Sequence, residues 1–151
     1  MIFSFILNTS SVKFLSGSKV NKDFLRSILI DVKTIALIGA SSNSSRDSYK
    51  VMKFLIDRGY KVFPVNPNEA NNSILGQKCY SNLKSIKEKI DMVDIFRAKE
   101  FIFDITREAI ELKVKIIWTQ ENLIDEKAAK LGTDAGLTVI MDECPKKILE
   151  N

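Results

Sequence analysis

The sequence predicts a single open α/β domain, in which helices cover both faces of a doubly wound, five-stranded parallel sheet. From Lys33 onward, short apolar runs rich in β-branched residues alternate with amphipathic stretches of helical spacing, the order typical of repeated βα units. The chain has 151 residues, of which 45% are hydrophobic, enough for one sizeable core. We therefore expect one domain over residues 21–151, preceded by a poorly ordered extension over residues 1–20.

Five segments have strand character. Apolar residues dominate each of them without regular polar alternation, as in strands that are buried on both faces of a parallel sheet. The predicted strands are 34–38, 61–65, 92–96, 115–118 and 137–141.

Helices are predicted before and between these strands. One covers residues 22–32, and the next begins at Ser48 and ends before Gly59, a residue suited to the left-handed conformation that follows many helices. A short helix is expected over 82–89 and a longer one over about 100–112. The last begins at the cap candidate Asn122 and ends near Gly136.

The residue types present exclude several classes of function. The sequence contains no histidine, which removes histidine-based triads and histidine metal sites, and we predict no metal site. Cys79 and Cys144 form no CxxC pair, which favours a reducing, cytoplasmic location. No apolar run reaches the roughly 20 residues of a membrane span, so we expect a soluble protein without a membrane partner.

The formal charge of +4 is concentrated at the amino-terminal end, because residues 1–30 carry +3 of it. The remaining residues are nearly neutral. A protein that binds nucleic acid is expected to carry a basic stripe over its folded part. We therefore expect no nucleic-acid partner.

The loop after the first predicted strand is the main candidate for a phosphate site. Its small side chains and the helix that follows would let backbone N–H groups approach phosphate oxygens. A GxGxxG fingerprint is not met, and an ordinary turn with hydroxyl caps is the alternative interpretation. The candidate residues of this loop and of the next helical turn are Gly39, Ala40, Ser41, Arg46, Ser48 and Lys50.

Residues that follow the other strands complete the predicted site, because the carboxyl ends of parallel strands share one edge of the sheet. Asn66 and Pro67 follow the second strand, where a nicotinamide-binding domain usually has an acid, and none occurs before Glu69. A stiff turn is the alternative for this pair. The further candidates are Phe96, Arg97, Trp118 and Gln120.

Three of the residues at this edge have a second interpretation. Phe96 and Trp118 could serve core packing instead of ligand contact. Cys144 follows the fifth strand and is either an inert buried thiol or a group that exchanges with a thiol or acyl ligand.

The loop motifs, taken together and in this order, resemble those of small bacterial CoA-binding-domain proteins. These are stand-alone relatives of the CoA-binding domain of succinyl-CoA synthetase and of ADP-forming acyl-CoA synthetases. The motifs are Gly39-Ala40-Ser41, Arg46-x-Ser48-Tyr49, Gly59-Tyr60-x-Val62-x-Pro64-Val65-Asn66-Pro67, Val93-Asp94-Ile95-Phe96-Arg97, Trp118-x-Gln120 and Met141-Asp142-x-Cys144-Pro145.

The resemblance implies a Rossmann-like domain that binds coenzyme A, or an acyl-CoA, at the carboxyl ends of its strands. It places phosphate at the Gly39 loop with Ser41 and Arg46. Asn66-Pro67 and Phe96-Arg97 would frame the nucleotide and the start of the pantetheine arm. Asp47 departs from the family pattern by placing a carboxylate beside the predicted phosphate site.

Three functions are open at this point, the first from the resemblance and the missing catalytic residue types, the second from fold analogy alone, and the third from the position of Cys144. The first is a non-catalytic CoA sensor, carrier or accessory module, with a homodimer or a partner protein as possible assemblies. The second is a nicotinamide-dinucleotide oxidoreductase or redox sensor. The third is thiol or acyl exchange with CoA at Cys144.

Overall fold

A parallel sheet forms the centre of the protein. The computed structural model describes the backbone of residues 13–16 and the backbone and side chains of residues 21–150. The parallel strands are β1 (Lys13–Ser16), β2 (Thr34–Ile38), β3 (Lys61–Val65), β6 (Met92–Ile95), β7 (Ile116–Thr119) and β8 (Thr138–Met141). Within these residues they pair in the order β1-β8-β7-β6-β2-β3. A separate antiparallel pair, β4 (Ser73–Ile74) and β5 (Gln77–Lys78), lies in the loop that follows β3.

Helices pack on both faces of the sheet. They are α1 (Lys22–Asp31), α2 (Asp47–Asp57), α3 (Ile102–Glu111), α4 (Glu126–Asp134) and α5 (Pro145–Glu150). Helices α1, α2 and α5 cover one face, where Leu25, Met52 and Ile148 are buried in a common core. Helices α3 and α4 cover the other face around Ile102 and Ala128. None of the helices in the described part of the chain is long and apolar enough to cross a membrane.

The five predicted strands are confirmed, and they form a parallel sheet with helices on both faces. The structure adds a sixth strand, β1, which pairs in parallel with β8 from Lys13↔Thr138 to Ser16↔Met141. The expectation that residues 1–20 lie outside the domain is therefore wrong for Lys13–Ser16. The other residues of the expected extension, 1–12 and 17–20, lie outside the described residues.

The predicted helix over 82–89 is wrong. Its residues form only a 3₁₀ turn, Leu83–Ser85, which begins where the Asn82 side chain accepts a hydrogen bond from Ser85 N–H. Leu83 and Ile86 are nevertheless buried, as their spacing suggested. The side-chain bond of Asn82 stabilises a turn, and the segment then extends towards β6.

Two helix boundaries also differ from the sequence prediction. Helix α4 begins after Asp125, whose carboxylate accepts hydrogen bonds from Lys127 N–H and Ala128 N–H, whereas the expected cap Asn122 has φ 68°. Helix α5 was not predicted at all. Its six residues are too few for a clear helical period, and it begins at a proline, which is tolerated in a first helical turn.

The order of the strands creates a crevice between β2 and β6. The chain passes from β2 to β3 on one side and then crosses back to place β6 on the other side of β2, which makes this the point where the strand order reverses. Ligands of open α/β sheets bind outside the carboxyl ends of the strands at such a point. The fold therefore places the loops after β2 and β6 around one crevice.

Candidate functional site

A polar cleft of about 420 Å³ opens at this crevice. Three loops line it, those that follow β2, β3 and β6, together with the first turn of α2. Most of the predicted site residues lie here. The lining residues are Gly39, Ala40, Ser41, Arg46, Asp47, Ser48, Asn66, Asn68, Phe96 and Arg97.

Gly39 lets the loop after β2 pass very close to the loop after β6. Its φ is +90°, and a Cβ at this position would lie 2.5 Å from the carbonyl oxygen of Phe96. The N–H groups of Gly39 and Ala40 donate to the carbonyl of Val65 over 2.9 and 3.3 Å. The small residues therefore bring three strand ends together and set the floor of the cleft.

The rest of the loop is held by its own side chains and leads directly into α2. Ser41 Oγ accepts from Asn43 N–H, and Asn43 Oδ1 accepts from Ser45 N–H, both over 3.0 Å. Arg46 occupies the N-cap position of α2 without a side-chain cap bond, and Ser48 is buried in the first turn. The positive end of the helix dipole and the Arg46 side chain thus border the same cleft, an arrangement that favours an anion.

Asn66 ties the β3 loop to the β2 loop. Its Nδ2 donates to the carbonyl of Ala40 over 2.8 Å, and its Oδ1 accepts from Asn68 N–H over 2.9 Å. Pro67 then begins a 3₁₀ turn, Pro67–Glu69. The amide that sequence reasoning offered to a ligand therefore holds the wall of the cleft in the observed conformation.

Glu69 borders the loop after β2, although it was not among the residues predicted for the site. The 3₁₀ turn brings its carboxylate back to the loop after β2, where Oε2 accepts a hydrogen bond from Ser42 N–H over 3.0 Å. Glu69 comes three residues after Asn66, so distance along the chain alone placed it too far from the strand end. The proline that begins the turn, followed by an acid, was the available signal.

Arg97 lies between the polar cleft and an apolar pocket. Its guanidinium carbon is 4.0 Å from the centre of the Phe101 ring, a cation–π arrangement. The second pocket, of about 200 Å³, lies between β3 and α3. It is lined by Ile38, Val65, Pro67, Ser81, Asn82, Leu83, Arg97, Phe101, Asp104, Ile105 and Glu108. One side chain thus borders a site suited to phosphate and a site suited to a flat or aliphatic group.

Four of the predicted site residues are not in the cleft. Pro67 lines the apolar pocket, and Lys50 lies in a shallow groove on the outer side of α2 with Lys53 and Lys146. Trp118 is fully buried in the α1/α2/α5 core, where its Nε1 donates to the carbonyl of Glu143 over 2.8 Å. The prediction that Trp118 contacts ligand is therefore wrong, because its hydrogen bond and its ring are both used inside the protein.

Gln120 follows β7 and is only partly exposed. Its backbone N–H donates to Ile95 O over 3.3 Å, which fixes it beside the end of β6. Its Oε1 is buried and has no hydrogen-bond partner among the described residues. Gln120 therefore lies at the predicted edge of the sheet, but it follows β7, and the cleft is formed by the loops after β2, β3 and β6.

Cys144 is 5% exposed and packs in the α1/α2/α5 core, as the inert interpretation expects. The neighbouring Glu143 is also buried and pairs with Lys22 over 3.2 Å. Burial raises the pKa of Glu143, and the Lys22 ammonium acts in the opposite direction. A thiol reaction at Cys144 therefore finds no support in its surroundings.

Asp94 is a buried carboxyl on the strand that leads to Phe96 and Arg97. By register it lies between Leu37 of β2 and Trp118 of β7. Neither of its oxygens has a hydrogen-bond partner among the described residues, and burial raises its pKa to about 8. The carboxyl is therefore neutral at pH 7. No group of three or more acidic or cysteine side chains that could hold a metal ion occurs in the described part of the chain.

A parallel sheet with this strand reversal, together with an anion-favouring loop and helix terminus at the reversal, defines a Rossmann-like α/β domain of the nucleotide- or coenzyme-binding class. Residues 33–150 match the profile of the CoA binding domain. The chain belongs to this family.

Relatives of known sequence fall into two groups. The chain is 37% identical over 126 residues to the uncharacterized protein YneT of Bacillus subtilis, a match that covers 83% of this chain and 92% of YneT. It is 32% identical over 93 residues to the alpha subunit of an ADP-forming acetate–CoA ligase of Pyrococcus furiosus. That match covers 59% of this chain and only 20% of the ligase subunit, so the likeness concerns one part of the larger protein.

Solved structures of small proteins share most of this fold. A hypothetical protein from Pyrococcus horikoshii superimposes with a TM-score of 0.81 at 36% identity, covering 87% of this chain and 92% of that chain. A protein from Thermus thermophilus gives a TM-score of 0.82 at 30% identity, with coverage of 87% and 98%. The fold therefore occurs as an independent protein of about this size.

Proposed function

We propose that this protein binds coenzyme A, or an acyl-CoA, in the polar cleft between β2 and β6. It acts as a sensor, carrier or accessory module without a reaction of its own. The observation that carries the proposal is the position of Arg46, Arg97 and the amino-terminal end of α2 around the strand reversal, in a chain of the CoA-binding-domain family. The names of the acetate–CoA ligases that share this domain support the same ligand.

The cleft and the apolar pocket match the two chemical halves of such a ligand. The diphosphate suits the loop of Gly39, Ala40 and Ser41, where small side chains let phosphate oxygens approach the backbone and the helix dipole. A flat base or the start of the pantetheine arm suits the apolar pocket between β3 and α3. Arg97 borders both and would hold the phosphate nearest to that pocket.

Calorimetric titration of the purified protein with CoA, dephospho-CoA, ADP and NADH tests the proposal. We expect heat from CoA at a ligand concentration below millimolar. A ligand at one hundred times its Kd should also raise the free energy of unfolding by about 2.7 kcal/mol. No CoA binding at millimolar concentration by either measurement would overturn the proposal.

Replacing Arg97 with alanine should weaken CoA binding by roughly tenfold or more, since a charge-assisted hydrogen bond to phosphate contributes about 1.5–3 kcal/mol. Replacing Arg46 should have an effect of the same order. Lys130 provides a control cation, because it is exposed on α4 and pairs with Asp134, and neither residue lines the cleft or the apolar pocket. Equal affinities of the Arg97→Ala and Lys130→Ala proteins, measured by calorimetry, would remove Arg97 from the site.

One observation favours a second candidate, a nicotinamide dinucleotide. No acid follows the second strand directly, which disfavours this ligand, but the Glu69 carboxylate reaches the loop after β2. In dinucleotide-binding domains an acid at this place accepts hydrogen bonds from ribose hydroxyls. Enhanced NADH fluorescence on binding, without a response to CoA, would reverse the order of the two candidates.

A further inference from the structure

The apolar pocket between β3 and α3 carries opposite charges at its two ends. Phe101, Ile105 and Glu108 line it at the four- and three-residue spacing of one helix face. At one end, beside the polar cleft, Arg97 stacks on the Phe101 ring. Glu108 lies seven residues farther along the chain, which corresponds to about 10 Å along the helix. The pocket is therefore cationic next to the cleft and anionic at its far end.

The backbone of the 3₁₀ turn Leu83–Ser85 holds the Glu108 carboxylate in place. The N–H of Lys84, in this turn, donates to Glu108 Oε1 over 3.2 Å, and the Glu108 side chain is partly buried. No other hydrogen bond or ion pair of this carboxylate occurs among the described residues. Its second oxygen, Oε2, is therefore available to accept a hydrogen bond from a group inside the pocket.

The other acceptor side chains of the pocket are less well placed for this role. Asp104 is exposed, and its Oδ1 accepts from the Arg107 guanidinium over 2.9 Å. The Oδ1 of Asn82 accepts from both the N–H and the hydroxyl of Ser85, each over 2.9 Å. Glu108 is thus the lining carboxylate whose position a backbone N–H fixes.

We propose that Glu108 is a specificity-determining residue that selects a base with an exocyclic amino group, such as adenine, over a base with an oxygen at that position. The inference rests on the proposed function, because it takes the ligand's phosphate to lie at Arg97 and its base in the apolar pocket. Ile38, Val65 and Leu83 supply apolar walls for a flat ring. An amino group at the far end donates to Glu108 Oε2, whereas an oxygen there faces the carboxylate without a hydrogen bond.

The size of the preference follows from the type of hydrogen bond. A hydrogen bond to a charged acceptor is among the stronger ones in proteins, and its loss leaves the buried acceptor unpaired. We therefore expect the wild-type protein to bind CoA about tenfold more tightly than deamino-CoA, in which hypoxanthine replaces adenine.

Replacing Glu108 with glutamine should reverse the preference. The Lys84 N–H requires an acceptor, so it orients the new amide with Oε1 towards the turn and Nε2 towards the pocket. The variant then presents a donor where the wild type presents an acceptor. The Kd of deamino-CoA divided by the Kd of CoA should fall below one in Glu108→Gln. In Glu108→Ala, which offers neither donor nor acceptor, the ratio should lie near one.

Calorimetry measures both Kd values in the wild-type, Glu108→Gln, Glu108→Ala and Glu111→Gln proteins. Glu111 is the matched control, because it is an exposed acid on the same helix that lines neither the cleft nor the pocket. Its carboxylate pairs with Lys84 Nζ over 3.6 Å, so Glu111→Gln also disturbs the contact between α3 and the turn while keeping Glu108. Its ratio should equal that of the wild type. Thermal unfolding verifies that each variant is folded.

A tenfold preference of the wild type for CoA that is reversed only in Glu108→Gln supports the inference. Two results overturn it and leave the proposed function intact: equal affinities of the wild type for CoA and deamino-CoA, or the same ratio in Glu108→Gln as in the wild type. If the wild-type protein binds neither compound, the proposed function is rejected, and the role of Glu108 is rejected with it.

Discussion

Replacing Asp94 with asparagine should remove a large part of the pH dependence of this protein's stability. Both oxygens of Asp94 are buried without a hydrogen-bond partner among the described residues, and its pKa is raised to about 8 by burial. In the unfolded chain the same carboxyl titrates near its ordinary value of 3.8. The folded protein therefore holds this proton more tightly than the unfolded chain does.

The direction of the effect follows from this difference. Between about pH 4 and pH 8 the unfolded chain loses the Asp94 proton and the folded protein keeps it, so the stability contributed by the neutral carboxyl falls as the pH rises. Above the pKa of Asp94 in the folded protein, this contribution to stability is completely lost. Each pH unit corresponds to about 1.4 kcal/mol, so stability of the wild type relative to Asp94→Asn should fall by up to about 4 kcal/mol from pH 5 to pH 8.

Urea unfolding of both proteins over this pH range measures the effect. Asp31→Asn is the control, because Asp31 is an exposed acid at the end of α1, and its curve should run parallel to that of the wild type. Other shifted groups, such as Glu143, are present in all three proteins and cancel in the comparison. Parallel curves for Asp94→Asn and the wild type would show that Asp94 is ionised or solvated in the folded protein.

Replacing Gly39 with alanine should destabilise the protein by roughly 3 kcal/mol or more. The φ of +90° costs an alanine about 1–2 kcal/mol by itself. Its Cβ would also lie 2.5 Å from the carbonyl oxygen of Phe96, a backbone atom that cannot move without displacing the end of β6. The same displacement would alter the cleft, so ligand binding should weaken along with stability.

Gly59→Ala is the matched control for this prediction. Gly59 has φ +97°, and a Cβ there would meet no atom within 4 Å, so only the same conformational cost of about 1–2 kcal/mol applies. Chemical denaturation of the two variants separates the effect of the backbone angle from that of the close approach. Equal losses of stability in Gly39→Ala and Gly59→Ala would mean that the loop after β2 relaxes away from Phe96.

The candidate site was predictable to the extent that it depends on strand ends. Gly39, Asn66 and Arg97 directly follow predicted strands, and Ser41 comes two residues after Gly39. Parallel strands bring their carboxyl ends to one edge, so these residues can be predicted to lie close together. Glu69 could not be placed in this way. Its approach to Ser42 depends on a 3₁₀ turn that folds the chain back, and chain distance does not reveal such a turn.

Trp118 shows that a position at a strand end does not by itself place a side chain in the cleft. Trp118 ends a predicted strand, whereas Arg97 follows one. Side chains along a strand alternate between the two faces of the sheet, so the face on which a residue near the strand end lies depends on the exact register. The register pairs Trp118 with Asp94 and Ile140 and buries it under α1, α2 and α5.

The sequence by itself determined the α/β class, the five strands of the domain and the loops that carry the cleft, because these depend on local periodicity and on glycine, proline and small polar residues at strand ends. Only the tertiary structure decided that Lys13–Ser16 joins the sheet beside β8, since a short edge strand forms only when a partner offers free backbone groups. It likewise decided that Glu69 faces Ser42 and that Asp94 loses contact with water. Both outcomes depend on packing between segments far apart in the chain, which local sequence patterns do not encode.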